Sequence, residues 1–412
     1  MWHNLLKFKE EEGTKCLVRS QSCLKELVLR ITFGVIAAAF PLDKVHDILR
    51  RTERTSERQR DLPAHVTIYY VIALALYMQS SYQEVLRCLL EGIRWLLGPG
   101  DTIKVTGKSG ISQARTRLGA EPLRRLYDEV VAPIAQAKTR GAWYRTWKVV
   151  SIDGTTLDVA DTDENEKAFG RPTAARGQSG FPQVRLVSLV ENGTHVLFGS
   201  QIAGCRTGEA ALADLAISSV REGMLCLADR YYFSYKRWAK AAKPGVALLW
   251  RVKVAMNLPS NRRLADGSYL SKIYRSTYDR RNDRKGVEVR VIEYTLDGVA
   301  GAEPVYRLLT TILDPAEAPA NELAALYHER WEIETALDEL KTHLRGARIV
   351  LRSKTPELVR QEVYGLLLAH FAIRGLMHEA ALKGDVDMDQ LSFLHSVRVV
   401  RRRLQRFVAA SP

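Results

Sequence analysis

The chain predicts a mixed α/β fold behind a mostly helical N-terminal region. Three observations lead there. Apolar segments at helical spacing fill residues up to about 145, short β-rich runs alternate with helices from Trp147 onward, and two of those runs close on an aspartate.

The helical part is read from two neighbouring patterns. Residues 63–78 form a long, almost wholly apolar segment, the composition of a buried helix. Residues 82–97 follow with Val85, Leu86, Leu89, Leu90, Ile93 and Leu97 on one face, and Gly98-Pro99-Gly100 ends that helix. A short Ser/Gln/Arg helix is expected next, with Ser112 as N-cap, Gly119 as stop, and Arg115 and Arg117 projecting from it. Two readings stand side by side here: a helix-turn-helix that inserts Arg115 and Arg117 into a DNA major groove, and a surface helix with solvated arginines.

The β-rich part starts with residues 148–153, which run apolar up to Asp153-Gly154-Thr155. Residues 184–190 and 195–198 flank Glu191-Asn192-Gly193, a hairpin signal. A helix over 209–220, a strand over 224–228 ending at Asp229, a helix over 235–242 and a strand over 247–254 complete the alternation. Residues 257–316 break the rhythm with polar turns and two further strands, and so read as a β-rich insertion. A long helix is expected from about 321 to 345 and another from 356 to about 382. The expected domains are a helical one over 1–145, an α/β one over 146–256 and 317–385, the insertion at 257–316, and a basic tail over 386–412. In that tail Arg398, Arg401, Arg402, Arg403 and Arg406 cluster as phosphate contacts.

Composition narrows the function classes. Of 412 residues, 61 are Lys or Arg against 47 Asp or Glu, a net charge of +14 that favours a polyanionic partner. The five cysteines are scattered without zinc spacing, which points to reduced thiols rather than a disulfide framework. Apolar runs stop short of the roughly 20 residues that cross a bilayer, and Glu10, Glu11 and Glu12 stand where a signal peptide needs apolar residues. A cytoplasmic protein with no membrane partner is expected.

Asp153 and Asp229 each close an apolar β run, where open α/β sheets place ligand-binding groups, and hard carboxylates there suit Mg2+ or Mn2+. On the helix over 321–345, Tyr327, Arg330, Glu334 and Lys341 fall within about 60° at roughly 100° per residue, with Arg345 on the same stripe. The bland reading is an exposed helix laced with ion pairs, and Glu329, Glu332 and Glu339 are open to it.

The pattern Tyr327-x2-Arg330-x3-Glu334-x6-Lys341 resembles the signature of DDE transposases of the insertion-sequence-four type. Residues 151–155 resemble that family's first-aspartate strand, and residues 225–234, Leu-Cys-Leu-Ala-Asp-Arg-Tyr-Tyr-Phe-Ser, its second-aspartate segment. Similarity is strongest over about 145–380. The resemblance implies a ribonuclease H-like mixed sheet flanked by helices, interrupted by a β-rich insertion before the last catalytic helix. It implies that Asp153, Asp229 and Glu334 are the catalytic and metal-binding residues, holding two Mg2+ or Mn2+ per active site. Tyr327, Arg330, Lys341 and Arg345 would contact DNA, with Arg230 a further contact. The implied reaction is cleavage at terminal inverted repeats and joining of the 3′-hydroxyl ends to target DNA by a homodimer assembled on DNA. Two rivals share parts of this pattern: a non-mobile ribonuclease H-like nuclease, and a DNA-binding regulator derived from a transposase. Of the insertion's aromatics, Tyr269, Tyr274 and Tyr278 are candidates to stack on a flipped base.

Overall fold

The protein is described from a computed structural model that covers residues 33–56, 62–97, 106–174, 177–296, 302–346 and 349–406. Six helices come first: α1 (Phe33–Ala39), α2 (Leu42–Arg51), α3 (Ala64–Leu76), α4 (Tyr82–Leu97), α5 (Lys108–Leu118) and α6 (Glu121–Val130). The α3 helix is apolar around its whole circumference and buried from Val66 to Leu76, as a helix surrounded by protein must be.

The α/β part contains β1 (Trp147–Asp158), α7 (Asp163–Phe169), β2 (Gln183–Glu191), β3 (Val196–Gly204), α8 (Glu209–Ala216), β4 (Met224–Ala228), α9 (Tyr235–Ala241) and β5 (Ala247–Arg251). It continues with β6 (Tyr269–Ile273), α10 (Thr277–Arg281), β7 (Val287–Tyr294), β8 (Tyr306–Thr310), α11 (Ala320–His328), α12 (Glu332–Asp338), α13 (Pro356–Gly384) and α14 (Phe393–Arg406). One sheet runs in the order β3-β2-β1-β4-β5-β8-β7-β6, extended by the two-residue strand Arg262–Arg263 beyond β6, with Trp143–Tyr144 pairing beside β1. β1, β4 and β5 are parallel and the other pairings antiparallel, which is the expected mixed sheet.

Alternate residues of the central strands feed two cores. Val149, Leu225, Leu227, Leu249 and Leu308 pack with Leu323, Leu326 and Tyr327 of α11. Val150, Ile152, Cys226, Leu248 and Trp250 belong to the larger core that includes the N-terminal helices and α13. Gly365 allows the closest part of that packing. A Cβ there would stand 2.8 Å from the Val71 carbonyl oxygen of α3.

Several expectations are corrected. The run containing Asp153 does not end there: β1 continues to Asp158 because β2 pairs with it along its whole length, from Val150 opposite Glu191 to Asp158 opposite Gln183. The segment read as a β-rich insertion continues the main sheet: β8 pairs with β5 (Leu309 opposite Trp250), and β7 and β6 extend it. α5 starts at Lys108 rather than at Ser112, which adds the turn that buries Ile111. Arg115 does not project. It is 2% exposed, and its guanidinium donates to Gln361 Oε1 at 3.1 Å, Ser353 Oγ at 3.0 Å and the Leu358 carbonyl at 3.2 Å. Arg117 is exposed, and the turn over 98–105 expected between α4 and α5 lies outside the described residues.

The tail is largely α14, docked through Val397 and Val400. Arg401 donates to the Leu344 carbonyl at 3.0 Å, so this member of the cluster serves packing, while Arg398 is exposed. The side chains of residues 402–406 lie outside the described set. Cys205 and Cys226 are free thiols. Among the described residues no helix is long and apolar enough to cross a membrane.

Arg115→Ala leaves the Gln361 and Ser353 side chains without their partner in the interior. Urea denaturation is expected to show a loss of roughly 2–4 kcal/mol. A loss below about 0.5 kcal/mol, the range of ordinary surface positions, contradicts the buried assignment.

Candidate active site

The parallel ladder between β1 and β4 ends with Ile152 opposite Ala228, so Asp153 and Asp229 come next on neighbouring strands. Both follow the parity of Val149, Leu225 and Leu227, the sheet face covered by α11. Leu323, Leu326 and Tyr327 seat α11 on that face, and the chain then passes through a 3-10 turn (Glu329–Trp331) into α12, which carries Glu334. The Asn192-Gly193 hairpin turn fixes this approach. Asn192 accepts from Ser151 of β1 at 2.9 Å and donates to the Glu329 carbonyl at 3.1 Å, while Gly193 N–H donates to Glu332.

Arg330 stands between the carboxylates, with its Nη1 3.8 Å from Asp153 Oδ2 and its Nη2 3.3 Å from Glu334 Oε1. It is 9% exposed. Burial works against its charge, but Tyr327, Asp229, Asp153 and Glu334 together raise its pKa above the ordinary arginine value. Asp153 is raised in turn, by burial foremost, against the opposing Gly154 N–H and Arg330 charge. Asp153 Oδ1 accepts from Gly154 N–H at 2.8 Å and from the Tyr232 hydroxyl at 3.1 Å.

Other expected contacts sort by environment. Tyr327 is 6% exposed, and its hydroxyl is buried without a hydrogen-bond partner among the described residues, within the field of Arg330 and Asp229. Lys341 is half-buried and makes no salt bridge among the described residues. Arg230 is exposed and pairs with Glu303 at 2.9 Å, which also holds Arg251. Arg345 does not share the outer stripe. Residues Glu339–Leu344 form a π-helical turn, which widens the helix and turns Arg345 inward, where its Nε donates to the Lys341 carbonyl at 3.2 Å. Of the insertion's aromatics, Tyr269 bonds Glu293 and Tyr274 bonds Asp283, whereas Tyr278 is 62% exposed. The exposed Trp331, with Arg330 over its ring at 5.6 Å, lies three residues from Glu334 and was not singled out by the helical pattern.

A buried network beneath the π turn was also hidden from the sequence. Glu339 receives His195 Nδ1 at 3.2 Å, His370 Nε2 at 3.2 Å and Arg374 Nε at 2.9 Å. Burial alone would push the Glu339 carboxyl up. The two histidine bonds and the Arg374 charge outweigh it and hold the group well below the usual carboxylate range. These partners come from a hairpin and from α13, far apart in sequence, so no local spacing announces them.

All three predicted acids offer only oxygen donors, a set that fits a hard divalent cation. Among the described residues no three such side chains are already drawn around one point, because Arg330 stands between Asp153 and Glu334.

Residues 30–128 match the family described as Insertion element 4 transposase N-terminal, and residues 147–372 match the Transposase DDE domain. The chain belongs to the DDE transposases of the insertion element 4 family, enzymes of DNA strand cleavage and transfer that depend on a divalent metal. Transposase InsG for insertion sequence element IS4 of Escherichia coli (strain K12) is 31% identical over 365 residues, covering 86% of this chain and 79% of that protein. The putative transposase InsZ of the same organism is 24% identical over 235 residues, covering 55% and 73%. A piggyBac transposase, solved as a synaptic complex with hairpin DNA, aligns with a TM-score of 0.47 at 12% identity, covering 92% of this chain and 81% of that one.

Glu339→Gln removes the charge that balances Arg374 and one of the oxygens that the two histidines bond. Because the folded-state carboxyl is depressed, its stabilisation is fully present above the unfolded carboxylate value and is lost progressively as pH falls from there through the depressed folded value. Thermal or urea unfolding at neutral pH is expected to show a deficit of about 3–5 kcal/mol that narrows in acid. A deficit that stays constant from pH 7 to acid contradicts the ionised assignment.

Proposed function

We propose that Asp153, Asp229 and Glu334 form the metal-binding catalytic centre, taking Mg2+ or Mn2+, two ions per site, for cleavage of element ends and joining to target DNA. The supporting observation is the register that brings Asp153 and Asp229 together on the α11 face, with Glu334 linked to Asp153 through Arg330. Bound there, the metals activate water or a 3′-hydroxyl and stabilise the departing oxygen.

The chain's own groups do the remaining work. Arg330 and Lys341 contact backbone phosphates beside the cut, and Arg230 is a further cation near the second aspartate. Arg330 balances the carboxylates before DNA arrives, and a phosphate then competes for the same guanidinium. Tyr327 lies within the field of Arg330, and its buried hydroxyl has no partner among the described residues. Arg345 and Arg115 are assigned to packing rather than to DNA. The region over 30–128 is the proposed reader of the terminal inverted repeats, with Arg117 exposed on α5. The net charge of +14 supports a DNA partner, a homodimer on paired ends is the working assembly, and the cytoplasm the proposed location.

Asp153→Asn, Asp229→Asn and Glu334→Gln are each expected to lower strand cleavage by roughly a thousandfold or more while end binding persists. Chelation of divalent ions reproduces the loss, and Mg2+ restores it only in the unsubstituted protein. Supplying pre-cut ends and recovering joined product confirms strand transfer. Full cleavage by any of the three variants in Mg2+ would remove that residue from the centre.

A further inference from the structure

Asp153 is held by more than its own strand. The Tyr232 hydroxyl lies 3.1 Å from Asp153 Oδ1 and closer still to Glu209 Oε1 at the start of α8, so its single proton is shared between the two carboxylates. Tyr232 is 1% exposed, and its backbone N–H closes the turn on the Asp229 carbonyl at 3.0 Å. The residue therefore joins the turn of the second aspartate to the side chain of the first. Buried Arg237 secures both ends of this link. It donates to the Tyr232 carbonyl, to the Ala210 carbonyl at 2.8 Å and to Asp214 Oδ1 at 2.7 Å.

The consequence falls on one oxygen. Gly154 N–H and the Tyr232 hydroxyl both engage Oδ1, which leaves Oδ2 facing Arg330. Glu209 lies so close over the strand that a Cβ on residue 154 would stand 2.8 Å from its Oε1. The glycine after Asp153 thus makes room for Glu209, within a strand that continues to Asp158.

We infer that Tyr232 and Glu209 are positioning residues that hold the Asp153 carboxylate in one rotamer and direct Oδ2 toward the incoming metal. This rests on the assignment of Asp153 to the metal centre. A side chain fixed in this way loses less freedom on binding a cation, and removal of such an outer partner generally weakens metal binding. A role confined to packing would change unfolding and leave metal affinity alone.

The test is a calorimetric titration of Mn2+ alone into the full chain without DNA, paired with thermal unfolding and end-DNA binding. Tyr232→Phe keeps the ring and removes only the hydroxyl. Its Mn2+ Kd is expected to rise roughly ten- to a hundredfold, with unfolding midpoint and DNA affinity close to those of the parent and cleavage partly restored by excess Mn2+. Glu209→Gln, which keeps an oxygen at the tyrosine, is expected to shift the Kd in the same direction by less, and it serves if the phenylalanine variant folds poorly. Asp153→Asn is the reference. If it loses Mn2+ while Tyr232→Phe and Glu209→Gln bind as the parent does, the positioning role is overturned and the metal centre stands. If Asp153→Asn also binds Mn2+ unchanged, the carboxylate centre falls, and this role with it.

Discussion

The parallel pairing of β1 with β4 is the constraint on which the site depends. Its last matched pair, Ile152 and Ala228, sets Asp153 beside Asp229, and strand alternation turns both toward α11. A shift of one residue in that ladder would send one carboxylate to the opposite core. The register is held by burial on both faces, so the packing that stabilises the sheet also aligns the acids.

A second requirement is the compensation of negative charge without water. Three carboxylates around Arg330 and one around Arg374 are the two solutions found under the same helical segment. They differ in consequence. Glu339 has its oxygens occupied by histidines and arginine and acts as a fixed strut. Glu334 is 45% exposed and tied only by one arginine, so it keeps coordination capacity. The 3-10 turn before α12 and the π turn after it place these neighbouring acids in opposite environments, which an unbroken α-helix would not do in the same way.

The N-terminal helices are part of the same structural unit as the catalytic sheet. α3 lies against α13 with Gly365 at the contact, and Arg115 fastens α5 to the start of α13. The hairpin turn at Asn192-Gly193 then reaches from the sheet to the 3-10 turn. The N-terminal region is therefore joined by packed contacts to α13, the helix that also supplies His370 and Arg374 to Glu339.

Much of this was legible in the linear sequence. Strand and helix order, the hairpin, and the Tyr327, Arg330, Glu334 and Lys341 pattern are local signals, set by backbone periodicity and by turn residues acting over a few positions. The sequence by itself determined the mixed α/β class, the family resemblance and the three acids worth assembling. Only the tertiary structure decided that Arg115 and Arg345 turn inward, that the insertion extends the main sheet, and that Tyr232 lies between Asp153 and Glu209. The reason is physical: whether an arginine meets solvent or a buried carbonyl, and which oxygen of a carboxylate remains available, depends on partners tens to hundreds of residues away. Those partners become neighbours only when the sheet and α13 close around them.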